Sequence, residues 1–329
     1  MHHRCSGNGP CRTLILALIL GIAGVAAANR CAAAESTALL DRRDGFVDAC
    51  GAIVYYETIG RGRPLMVLHG GPGAPHGYFL PYLLPLARHH RLVFMDERGS
   101  GRSERLANFK GYTLDNLACD ANAVRRALGL KTVDVMGHSF GGILAQAYAI
   151  KYPATVRRLI LAGTGSSAAR VNADFKLIKD SLAPALRAQI DALELKGIIG
   201  ADGAQVPEYR RLADEAEASY EYAGRPPQWD EHGEAVGWDV LNEMWGSRSD
   251  FHIDGNLAGF DFVPALRKLL IPTLIILGDH DLVSTATADE TRAAIADSKV
   301  IVLGGSGHMT FVDQTDAFLH EVSAFLDTE

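Results

Sequence analysis

The chain has no basic cluster, no apolar run of membrane-spanning length and few cysteines, and each shortage closes a route. Its 32 Lys and Arg are outnumbered by 39 Asp and Glu, for a formal charge of -7, and the basic residues are scattered. Such a surface offers no field for a polyanion, so no nucleic-acid partner is expected. There is no G-x-x-x-x-G-K phosphate loop. His89-His90 and His2-His3 lack carboxylate or cysteine partners at ligand spacing, so neither a metal nor another cofactor is expected. No internal repeat or low-complexity stretch interrupts the chain after its first segment.

What is present is ordinary globular material: 329 residues, 48% hydrophobic and 22% charged, enough for one large core and an accessory domain. Residues 1–34 read as a secretory signal, with Arg4 and Arg12 ahead of an apolar run from Leu14 to Ala28 and small residues after it. That run of about 15 residues falls short of the roughly 20 needed to cross a bilayer. Ala32-Ala33-Ala34 and Ala26-Ala27-Ala28 are both candidate cleavage sites. The expected location is secreted or periplasmic, with no stable membrane span after cleavage. Cys5, Cys11 and Cys31 would leave with the signal, and Cys50 and Cys119 are then expected as independent thiols, pairing being the alternative in an oxidising compartment.

Along the rest of the chain, Gly45 to Thr58 alternates loosely around Cys50-Gly51, as an opening hairpin would. Short apolar runs follow at Leu65–Leu68, Leu92–Met95, Val133–Met136, Leu159–Ala162, Thr273–Leu277 and Lys299–Leu303, which suit strands buried on both faces. Helical patterns lie between them, including Thr113–Leu128 and Gly142–Lys151. Strand-helix alternation predicts an α/β fold with a mostly parallel twisted sheet and helices on both faces. From 165 to 262 the alternation breaks, and an inserted helical cap is expected there, leaving 35–164 and 263–329 as the core. The insertion holds Trp229, Trp238 and Trp245, and between Glu208 and Asp254 it has an excess of acidic residues.

Gly137-His138-Ser139-Phe140-Gly141 matches G-x-S-x-G, with a strand before it and a helix after it. A serine hydroxyl attacks a carbonyl only when a base takes its proton, so it must project from a tight turn within reach of a histidine. Ser139 is the candidate nucleophile. The negative charge that develops on the carbonyl oxygen needs two preset N–H donors, and the backbones of Phe140 and of Gly71 in His69-Gly70-Gly71-Pro72-Gly73 are the candidates. His69 itself is expected to brace that loop. After the insertion come Gly278-Asp279-His280-Asp281 and Gly307-His308, in the order Ser, Asp, His that this fold requires. Asp281 is preferred to Asp279 as the residue that orients His308, because the loop must travel a few residues from the strand end. Asp96 to Ser103 is read as a structural turn with Arg98 paired internally.

On these residues the chain resembles the proline iminopeptidases and their amidase relatives within the α/β-hydrolases. The resemblance rests on His69 to Gly73, Asp96 to Ser103, Gly137 to Gly141, Gly278 to Asp281, Gly307-His308 and the stretch from Met244 to Phe251. It implies an α/β-hydrolase fold and removal of an N-terminal residue, often proline, from a short peptide through an acyl-enzyme. It also implies carboxylates that bind the free ammonium: Asp250 stands where relatives carry a Glu, and Glu243 and Trp245 are further substrate-binding candidates. Leu282 occupies a position where peptidase relatives often place another Glu, which keeps an esterase or other small-molecule hydrolase as the alternative. A non-catalytic binding protein of the same fold is the second alternative. The expected partner is a small peptide, amide or ester, and the oligomeric state is left open.

Overall fold

The structure, a computed structural model, describes residues 40–224 and 236–328. The expected signal segment with its three cysteines, and Trp229, lie outside the described residues. The strands are β1 (Arg42–Ala49), β2 (Ala52–Ile59), β3 (Arg63–Leu68), β4 (His90–Met95), β5 (Val133–His138), β6 (Val156–Ala162), β7 (Thr273–Gly278) and β8 (Ser298–Leu303). They form one sheet in the order β1-β2-β4-β3-β5-β6-β7-β8. β1 and β2 are antiparallel to each other, β2 is antiparallel to β4, and every pairing from β4 to β8 is parallel. β5 and β7 are buried along their whole length, as continuous apolar runs at the centre of a covered sheet should be. β8 departs from the expectation of burial on both faces. It is an edge strand, with a partner on one side only, and Lys299 and Val302 are exposed.

Between strands run α1 (Leu114–Ala127), capped by the Thr113 hydroxyl accepting from the Asn116 N–H, and α2 (Phe140–Lys151), which stops just before Pro153. Between β6 and β7 come α3 (Ala168–Ser181), α4 (Pro184–Lys196), α5 (Pro207–Glu221) and α6 (Trp238–Met244). Pro184 and Pro207 open their helices, where a missing N–H costs nothing. The two ends of this insertion are tied together: Ala168 N–H donates to Phe260 O at 2.9 Å and Phe262 N–H to Ser166 O at 2.8 Å. After β7 and β8 come α7 (Thr285–Ala294) and α8 (Thr315–Leu326). Among the described residues no helix is long and apolar enough to cross a membrane.

Cys50 and Cys119 are not independent thiols. They form a disulfide with Cα atoms 6.1 Å apart. Cys50 stands in the β1–β2 turn at φ 42, and α1, which carries Cys119, packs against β1 and β2. A sequence separation of 69 hid a contact that only the helix-on-sheet packing creates. Closing a loop of that length removes about 4 kcal/mol of unfolded-state entropy.

Candidate active site

Strand pairing explains why residues far apart in the chain converge. Leu68 of β3 pairs with Gly137 of β5, so the loop after β3 and the turn after β5 leave the sheet side by side. Gly278 of β7 pairs with Leu303 of β8, which brings the Asp281 loop beside the His308 loop. All four loops leave the carboxyl ends of parallel strands, where this architecture places its crevice.

Ser139 sits between β5 and α2 with φ 56 and ψ -125. Such a conformation costs a non-glycine residue about 1–3 kcal/mol and persists only where its surroundings enforce it. The flanking glycines permit the turn by leaving no Cβ. At Gly137 a Cβ would collide with the Gly141 carbonyl, and at Gly141 with the Leu68 carbonyl. Phe140 is the first residue of α2, so its N–H has no acceptor a turn earlier and lies at the positive end of the helix.

The second expected donor is set by His69. Its Nδ1 donates to the Gly70 carbonyl at 2.8 Å, and its Nε2 accepts from the Glu97 N–H at 3.0 Å. Burial lowers its pKa to about 4, so the ring is neutral and braces the loop as expected. In a trans peptide the C=O and N–H point opposite ways. A Gly70 carbonyl held by His69 therefore turns the Gly71 N–H away from that histidine, and Gly71 lines the cavity.

His308 Nδ1 lies 2.6 Å from Asp281 Oδ1, and both side chains are buried. Asp281 is itself fixed by the Val283 N–H at 2.9 Å. Asp279 lies outside this pair and accepts the Ser306 N–H instead. Burial works against a charged His308. Asp281, with Glu221 and Glu217, outweighs it and raises the pKa to about 9. The backbone of His308 donates to the Tyr220 carbonyl at 2.7 Å and that of Met309 to the Glu221 carbonyl at 3.0 Å, so the C-terminus of α5 is stapled to the histidine loop.

Ser139 and His308 face one cavity of about 600 Å³, which Gly71, Phe140, Leu282 and Val283 also line. From the insertion it is lined by Arg210, Asp214, Glu217, Glu221, Trp245 and Asp250. The first four recur on α5 at spacings of four, three and four residues, which places them on one helix face. That periodic acidic face was the available signal for Glu217 and Glu221, which the sequence analysis did not single out. Burial, then Asp250 and Glu221, push the Glu217 pKa well up. Burial also raises Glu221, and it raises Asp250 to about 6 against Arg210 and Gln205. Among the described lining residues one guanidinium offsets these carboxylates: Arg210 Nη2 is 2.6 Å from Asp214 Oδ1, and its Nη1 is 3.8 Å from Asp250 Oδ2.

Trp245 lines the cavity and donates its ring N–H to the Asp250 carbonyl at 3.0 Å. Glu243 is not among the lining residues. On α6 it is Trp238 and Leu241 that face the cavity, and two residues beyond Leu241 is about 200° around the helix. The substrate-binding expectation for Glu243 is therefore corrected. Arg98 is paired internally as expected, with Nε and Nη2 each 2.6 Å from the Asp120 carboxylate.

A sequence profile of the alpha/beta hydrolase fold matches residues 63–315. Among curated proteins, the chain is 28% identical over 291 residues to a proline iminopeptidase of Heyndrickxia coagulans, covering 87% of this chain and 99% of that one. It is 30% identical over 297 residues to a proline iminopeptidase of Lactobacillus helveticus, covering 86% of this chain and 97% of that one. The crystal structure of a proline iminopeptidase of Mycobacterium smegmatis superposes with a TM-score of 0.74 at 24% identity, over 86% of this chain and 97% of that chain. The chain is thus a hydrolase, and it belongs to the proline iminopeptidase family of the α/β-hydrolases.

Proposed function

We propose that the protein is a serine aminopeptidase that releases N-terminal residues, proline or similar, from short peptides or amino-acid amides. Ser139 Oγ attacks the carbonyl of the first residue while His308 Nε2 takes its proton, and Asp281 holds the ring and stabilises the imidazolium. The N–H groups of Gly71 and Phe140 receive the developing oxyanion. The proton on His308 then passes to the leaving amine, and an acyl-enzyme remains on Ser139. Water, deprotonated by His308, attacks the acyl carbon and restores the hydroxyl.

The observation that carries the reading is the acidic wall facing Ser139. Glu217, Glu221 and Asp250 line the same cavity as the serine and the histidine, and a substrate ammonium would satisfy carboxylates that are otherwise costly to ionise there. The chain from 165 to 262 is in this reading the cap that roofs the site. The Cys50–Cys119 disulfide supports a location outside the cytoplasm, in an oxidising compartment.

A second reading, hydrolysis of neutral esters by the same residues, is favoured by the apolar part of the wall, Ile143, Val171, Phe175 and Leu282. Assay of proline and alanine arylamides beside short acyl esters separates the two. Arylamide turnover that disappears when the amine is acylated is expected; ester turnover with none on arylamides would sink the peptidase reading.

A further inference from the structure

A chain of hydrogen bonds along the wall of the cavity, which Gly70, Tyr78 and His138 line, touches three parts of the site. The Gly70 N–H donates to Tyr78 Oη at 2.6 Å, Tyr78 Oη lies 3.0 Å from His138 Nδ1, and His138 Nε2 lies 3.2 Å from the His308 carbonyl oxygen. Chemistry sets the direction of each bond. A carbonyl oxygen only accepts, so the proton is on His138 Nε2. Burial and the neighbouring His308 hold His138 well below its ordinary pKa, so the ring is neutral and its Nδ1 must accept. The Tyr78 phenol, which burial keeps protonated, donates to Nδ1 and receives the Gly70 N–H on a lone pair. Phe311 packs edge-on against His138 at 5.2 Å between ring centres and also lies 5.9 Å from Tyr78, which limits both rings to this arrangement.

We propose that Tyr78 and His138 are positioning residues whose relay keeps the loop of Gly71, the turn of Ser139 and the segment of His308 in mutual register. The proposal rests on the catalytic roles given above. Gly70 is held at both polar ends, its carbonyl by His69 and its N–H by Tyr78, so the orientation of the next N–H, that of Gly71, depends on both. The same imidazole that anchors Tyr78 also anchors the main chain of the base. His138 adjoins the nucleophile in sequence, and its ring centre lies 4.7 Å from that of His308. A shift in any one of the three segments is therefore transmitted to the others. Tyr78 and His138 line the cavity, and the His138 ring packs against that of His308, but neither exchanges a proton with the substrate; they act through the alignment of the groups that do.

Tyr78→Phe deletes one oxygen and keeps the ring, so it tests the relay with little change in packing. The expected result is a fall in kcat of about 10- to 100-fold with KM nearly unchanged, because alignment is needed chiefly in the transition state. Affinity for a tetrahedral boronate analogue should fall in parallel, while the thermal midpoint moves little. His138→Gln should do the same, and the double variant should lose no more than the worse single one, since one broken link opens the chain. Nitrogen NMR of the imidazoles in the Ser139→Ala protein should show His138 protonated at Nε2 and not titrating over about pH 5 to 9. Unchanged kcat in Tyr78→Phe, fully additive losses, or a proton on Nδ1 would each overturn the proposal. If the parent turns over neither arylamides nor esters, the functional reading fails separately. The relay is then judged by the rate at which a fluorophosphonate labels Ser139, and an equal rate, or no labelling, in parent and Tyr78→Phe removes it.

Discussion

The sheet and the insertion contribute to the cavity in different ways. Ser139, Asp281 and His308 come from turns at the ends of neighbouring parallel strands, where strand register sets their separation. Arg210, Asp214, Glu217 and Glu221 come from one face of α5, where helical periodicity aligns them and the fold of the insertion decides where that face points. In the proposed mechanism the first arrangement supplies a nucleophile and a base suited to any acyl group. The second supplies negative charge, which in the same proposal favours a substrate bearing an amine. The staple between the α5 carbonyls and His308 joins the two, and charge on the insertion reaches His308.

The sharpest break of that division is Ser139→Ala, which should cost about 10⁴-fold or more in turnover of every substrate class while leaving the fold intact by circular dichroism. Loss confined to amines would mean that the sheet's contribution is not general. Removing the disulfide with Cys50→Ser and Cys119→Ser should lower unfolding stability by up to about 4 kcal/mol in denaturant titration. That loss belongs to the sheet side of the molecule, so the relative preference for amines over esters should be unchanged.

Asp250→Asn and Glu217→Gln each remove one carboxylate of the acidic wall. Each should raise KM for amine substrates by about 10-fold, the cost of roughly one charge-assisted contact, and change KM for neutral esters little. Glu243→Gln, whose side chain is off the cavity, should change neither. Equal losses on amines and esters would show that the acidic wall serves structure and not selection.

The smallest expected effect concerns the base. A pKa of about 9 means that the imidazolium is the main form of His308 in the free protein at neutral pH. An imidazolium cannot take the serine proton, so kcat/KM for neutral esters should rise with pH up to about 9 and fall off below it. Glu221 favours that imidazolium, and Glu221→Gln should therefore move the rise toward lower pH and increase ester turnover at neutral pH. A shift toward higher pH would contradict the coupling between insertion and base.

Much of the sheet was legible because its signals are local. Val133 to Met136 reads as a buried strand, and the glycines after it read as a tight turn, because both depend only on neighbours in the chain. Asp281 and His308 were legible as residues after strands, in the order the fold requires. Glu217 and Glu221 were passed over because a charged helix face is usually solvated, and nothing local distinguishes one that faces a cavity. Glu243 was offered, on the family resemblance, as a further carboxylate, but on α6 it is Trp238 and Leu241 that line the cavity, and Glu243 is turned about 200° from Leu241 around the helix.

The chain order alone therefore determined which residue types stand at which strand ends, and with them the fold, since hydrophobic period and glycine placement act over a few residues. Tertiary structure decided the disulfide, the acidic wall and the link from Gly70 through Tyr78 and His138 to His308. These contacts join residues up to 170 positions apart, and no local pattern encodes a contact that exists only once the elements have packed.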